Sequence, residues 1–158
     1  MKAKSLKEIR LELQHLSQQE LMQLCLQLAR FKAENKELLT YELFYSHNKE
    51  RYTNEIKENI EQAFDELNPA SYFYLKKGVQ KIQRQIKKYI RIAKDPEVEV
   101  LLLLYFLKHF KNYTPNLLQQ KVLNNMYHRE LDLVKKRIEK LHPDLQYDFN
   151  LALEELIL

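Results

Sequence analysis

Eight consecutive apolar residues, Val100 to Leu107, sit inside the segment VEVLLLLYFLKHF, which runs from Val98 to Phe110. Carried on a helix, such a run is apolar on every side, so other helices have to cover it all round. It is too short to span a bilayer, which needs about 20 apolar residues. Glu99 and Lys108 also lie within it. A β-sheet is the other way to bury such a run, but the chain has a single glycine, Gly78, and four prolines. Hairpins draw on glycine for their positive-φ turns. These features predict an all-α fold, with seven to eight antiparallel helices packed as hairpins around a central apolar helix at about 97–112.

The breaks between helices can be read from caps and prolines. Ser5–Glu8 and Ser17–Glu20 both have capping-box spacing. The first precedes Leu6, Ile9 and Leu13. The second opens a helix to about Phe31 that places Leu21, Leu24, Cys25 and Leu28 on one face. Cys25 then reads as a small apolar residue among leucines, with no motif to activate its thiol. Asn35 can open a third helix, and Ser46-His47-Asn48 a break before a fourth, from about Lys49 to Leu67. The fourth buries Tyr52, Ile56, Ile60, Ala63, Phe64 and Leu67 and turns Glu55, Glu58, Glu61 and Asp65 to water. Asn68-Pro69 ends it, because the residue before proline avoids the helical region.

Ser71 caps a helix to about Lys94, and Asp95-Pro96 opens the apolar one. Thr114-Pro115 reads as the cap and first residue of a long helix to about Leu141. His142-Pro143 precedes the last, which uses Leu145, Phe149, Leu153 and Leu156. No linker or low-complexity tract interrupts the 158 residues, so a single domain, 1–158, is expected. One cysteine and no apolar leader point to a cytoplasmic protein with no transmembrane segment.

Two segments, LKEIRLELQHLSQQELMQLCLQL and IRIAKDPEVEVLLLLYFL, resemble a family of small all-helical bacterial proteins of unknown function. The resemblance implies an all-α fold over most of the chain. It implies no activity and no site residues.

Between Leu67 and Asp95 there is no acidic residue, but there are eight basic ones: Lys76, Lys77, Lys81, Arg84, Lys87, Lys88, Arg91 and Lys94. At about 100° per residue they share an arc of roughly 140°, opposite Leu75, Val79, Ile82, Ile86, Tyr89 and Ala93. Such a stripe can follow a phosphate backbone, lie near acidic lipid or hold an acidic protein. The bland alternative is a solvated lysine face, partly balanced by the acidic helix before it. Tyr72, Tyr74 and Tyr89 stand among the bases. Their placement beside the apolar side predicts core or hydrophobic-staple roles rather than base stacking.

Glu12–His15 and Glu139–His142 have the Glu-x-x-His spacing of four-helix di-metal proteins. Both histidines fall at helix ends, where an imidazole has a plain electrostatic reason to be, so no metal centre and no cofactor is expected. His47, His109 and His128 are scattered, with His109 bordering the apolar helix as a partly buried imidazole. A nucleophile elbow, a P-loop and a zinc-finger spacing are all missing. No catalytic residue is assigned. The leading expectation is a non-catalytic helical adaptor or scaffold that binds another macromolecule, a protein partner or itself. One alternative is a nucleic-acid-binding protein using the basic face of helix 71–94. A second is a metal-binding protein or enzyme with a site assembled between helices.

Overall fold

Ser5 and Ser17 each accept a backbone N–H through the side chain and donate their own backbone N–H to the glutamate three residues on, so both capping boxes form. They start α1 (Leu6–Leu13) and α2 (Gln18–Phe31) in a computed structural model that describes residues 1–157. The remaining helices are α3 (Ala33–Phe44), α4 (Lys49–Asp65), α5 (Tyr72–Ala93), α6 (Pro96–Asn112), α7 (Lys121–Ile138) and α8 (Pro143–Ile157), with a 3-10 turn at Leu117–Gln119. Among the described residues there is no strand, and the all-α expectation holds. The chain forms two compact units, Met1–Phe44 and Tyr45–Leu158.

In the second unit α6 touches α4, α5, α7 and α8. Val98, Val100, Leu102, Leu103, Leu104, Phe106, Leu107 and Phe110 are all buried along it. Each such side chain contributes about 1.5–3 kcal/mol by leaving water. Asp95 starts α6 by accepting the N–H groups of Glu97 and Val98. Polar bonds then fix its neighbours. Lys49 on α4 bridges Asp95 at 2.8 Å and Glu97 at 2.6 Å. Arg137 on α7 pairs with Glu99 at 2.9 Å. Lys111 donates to the carbonyls of Glu155 and Leu156 at the end of α8. Tyr127, itself buried, donates to that Leu156 carbonyl at 3.0 Å.

Gly78 lies within α5, where glycine costs about 1 kcal/mol relative to alanine. A methyl group there would come within 2.4 Å of Leu67 Cδ2, so the missing side chain is the seat for Leu67.

Two boundaries differ from those the sequence predicts. α3 starts at Ala33, and Asn35, expected to open it, instead donates its side-chain amide to the Leu28 carbonyl at 2.8 Å. A free carbonyl in the last turn of α2 is thereby satisfied. Thr114-Pro115, expected to open the long helix, forms a cis peptide, and α7 begins only at Lys121. The intervening 3-10 turn sinks Leu117 fully into the core, and Asn124 holds the Leu118 carbonyl from α7. Met126, Val134 and Ile138 line the buried side of α7. Leu123, Tyr127 and Leu131 are buried beside them, while Val122 stands exposed.

In the first unit α2 packs against α3. No residue from Met1 to Phe44 is buried.

Candidate functional site

Ser71 caps α5 by accepting the Tyr74 N–H, and the helix then runs for 22 residues without an acidic side chain. Leu75, Val79, Ile82, Ile86 and Ile92 are buried on its inner side. Tyr89 is half-buried there, its carbonyl accepting the Tyr52 hydroxyl at 3.0 Å. On the outer side Lys77, Lys81, Arg84, Lys87, Arg91 and Lys94 are exposed, and Lys76 and Lys88 half-exposed.

The eight bases are not equivalent. Lys87 places its ammonium 2.6 Å from Glu130 of α7, whose side chain is almost wholly buried. Gln83 donates to the same Glu130 oxygen at 2.5 Å, and the other oxygen is buried with no hydrogen-bond partner among the described residues. Lys87 therefore ties α5 to α7. Glu130 does not stand out in the sequence, where it is one of many charged residues in a polar helix. Only its place between Tyr127 and Leu131 on a buried face distinguishes it. Lys94 ends the helix with φ 52°, a left-handed residue that closes on the Ile90 carbonyl.

The aromatic residues at the start of α5 depart from expectation. Tyr72 and Tyr74, predicted as core or staple residues, are 36% and 57% exposed, and Phe73 between them is 51% exposed. The next inward-facing position, Leu75, already fills the core, which leaves the residues before it over solvent. Lys76 lies 5.7 Å from the Tyr72 ring centre and Lys77 4.4 Å from that of Phe73. The Phe73 and Tyr74 rings meet edge to face at 5.6 Å. The helix thus carries basic and aromatic side chains together on a solvent-facing side.

The acids of α4 have other partners. Glu55 binds Arg51 and Tyr45, and Glu61 accepts the Tyr105 hydroxyl and lies 4.0 Å from His109. Burial and Glu61 together push the Tyr105 phenol up to about 12. His109 is half-buried and stacks on Phe64 at 5.7 Å.

A different surface lies in the first unit. On α1 and α2 Leu13, Leu21 and Leu24 are half-buried, and the other large apolar side chains of the two helices are more open. Leu6 is 84% and Phe31 86% exposed, and Leu28, Leu43 and Phe44 are each more than half exposed. Cys25 is exposed too, rather than held in a core. With Leu28, Leu38 and Leu39 it lines a shallow apolar groove, and Ile9, Leu13, Leu16 and Leu24 line a second.

His15 follows the end of α1 and His142 precedes α8, where it lies 3.3 Å from Asp144. Among the described residues no three His, Cys, Asp or Glu side chains converge as metal ligands would. None of the helices described is long and apolar enough to cross a membrane. No protein-family model, curated protein or solved structure gives a significant match to the chain.

Proposed function

We propose that the chain is a non-catalytic helical adaptor and that α1–α3 form its docking surface for another protein. The observation that carries this reading is the absence of any buried residue from Met1 to Phe44, in a segment whose leucines recur at helical spacing behind two complete capping boxes. Helices shorter than about 12–15 residues are marginal alone in water and depend on covering an apolar face. α1 has 8 residues and α3 has 12. Large apolar side chains left open on several neighbouring turns support such a surface. The partner that fits presents an apolar face of its own, and a second copy of the chain qualifies.

The test is site-specific photocrosslinking in the native host. A photoreactive residue in place of Leu28, Phe31 or Leu43 should give one discrete adduct, either with a second copy or with one other protein. The same group at Glu58, on the exposed side of α4, should give none. Failure of all three positions to form an adduct would overturn the reading.

A further inference from the structure

We propose that the outer face of α5 is a binding site for single-stranded nucleic acid, in which Lys77, Lys81, Arg84 and Arg91 follow the phosphates while Phe73 and Tyr74 stack on bases. The site shares no residue with the α1–α3 surface and stands independently of it.

Spacing is the first support. Phe73, Lys77, Lys81, Arg84, Lys88 and Arg91 succeed one another by three or four residues. At about 100° per residue they fall within an arc of roughly 80°. This is a straight file along one side of the helix, with Tyr74 flanking it. From Phe73 to Arg91 the file is about 27 Å long at ~1.5 Å per residue, room for a handful of nucleotides. Footprints on single-strand-binding domains run from about 4 to 16 nucleotides.

Charge is the second. The file has no acidic member. Like charges on successive turns of one helix repel, and an anion that follows the helix would offset that repulsion. Lys87 lies to one side of the file and keeps its contact with Glu130, so the seat of α5 does not depend on the bound strand.

The aromatic end selects the kind of anion. A duplex keeps its base faces stacked inside and offers phosphates alone. An unpaired strand offers both phosphates and base faces, and aromatic side chains beside a basic groove match that pair of features. An anionic membrane fits less well. A helix that lies on lipid inserts its apolar face, whereas the apolar side of α5 is already buried in the protein.

Fluorescence anisotropy with the full chain tests the site, using 12-nucleotide oligo(dT) and oligo(U), a duplex of equal length, and vesicles containing phosphatidylserine. The single strands should bind at least tenfold more tightly than the duplex at low salt. Affinity should fall with salt at a log–log slope of about −0.7 for each phosphate engaged. The Lys81→Glu/Arg84→Glu variant should weaken binding at least tenfold and flatten the slope. The Phe73→Ala/Tyr74→Ala variant should also weaken it about tenfold or more but leave the slope unchanged. All four residues are exposed, so the variants should fold, which circular dichroism checks. Absence of single-strand binding at 50 mM salt would overturn the proposal. So would equal affinity for the duplex with no effect of the aromatic substitutions, or binding to the vesicles alone.

Discussion

The Lys87–Glu130 pair shows how unequal two partners of one ion pair can be. Glu130 is 4% exposed, whereas Lys87 keeps nearly half of its side chain in water. Removing the lysine strands a carboxylate inside the protein with only Gln83 to hold it. Leaving a buried polar group short of a partner costs about 1–3 kcal/mol, and with Lys87 half in water and Gln83 still bonded Lys87→Met should cost about 1–2 kcal/mol. Removing the glutamate lets Lys87 turn to solvent and takes away an oxygen that has no partner among the described residues. Glu130→Met should therefore change stability by less than about 1 kcal/mol, or raise it. Urea denaturation of the two variants measures the difference, and equal losses would contradict it. This asymmetry was not legible in the sequence. The basic face of α5 is visible as periodicity, but the residue that captures one of its lysines lies 43 positions away on another helix. The exposure of Tyr72 and Tyr74 is hidden for a related reason. Aromatic residues at a helix start pattern like staples, and only the position of Leu75 in the core shows that no apolar neighbour covers them.

Caps and prolines marked the starts of α1, α2, α4, α5 and α6 because each is a local device, satisfied within four residues. The starts of α3 and α7 differ from the local signals because a tertiary contact replaces the local one. Asn35 serves the preceding helix, and Leu117 is drawn into the core ahead of α7. The start of α6 combines both kinds of contact and makes them measurable. Burial raises the Asp95 carboxyl, but the Lys49 ammonium and the N–H groups of Val98 and Glu97 outweigh it, so Asp95 is held below its usual range. A carboxyl lowered in the folded state stabilises that state above its unfolded pKa, about 3.9. As the pH falls, the unfolded chain takes up its proton first, and the contribution disappears once the folded form is protonated too. Asparagine caps a helix as well as aspartate does, so Asp95→Asn removes chiefly the charge. It should cost up to about 1 kcal/mol at pH 7, since Lys49 is partly exposed. The difference from wild type should shrink as the pH drops from 5 toward 3. Thermal melting of both proteins across that range follows it, and a gap that stays constant would exclude the charge as its source.

At the scale of the whole molecule, one amphipathic rule yields two outcomes. In residues 45–157 the apolar faces of α4 to α8 are covered, and α6 is buried along nearly its full length. In residues 1–44 the same leucine spacing leaves every side chain at least partly in water. Periodicity states which side of a helix is apolar, not whether anything in the chain covers it, so the sequence alone could not separate the two. Protection against amide exchange should separate them, because local opening is easiest where few apolar contacts are lost. In the dilute full chain, amides of α1–α3 should exchange at least about 100-fold faster than those of α6 once intrinsic rates are removed. α6 should open only with global unfolding. Hydrogen exchange read by mass spectrometry at two protein concentrations also identifies the cover. Protection of α1–α3 that climbs with concentration means that a second copy supplies it, since mass action favours the covered state. Unchanged weak protection excludes a second copy as the cover. Equal protection of α1–α3 and α6 in the dilute chain would show that the N-terminal helices need no partner, and the docking role proposed for them would fall.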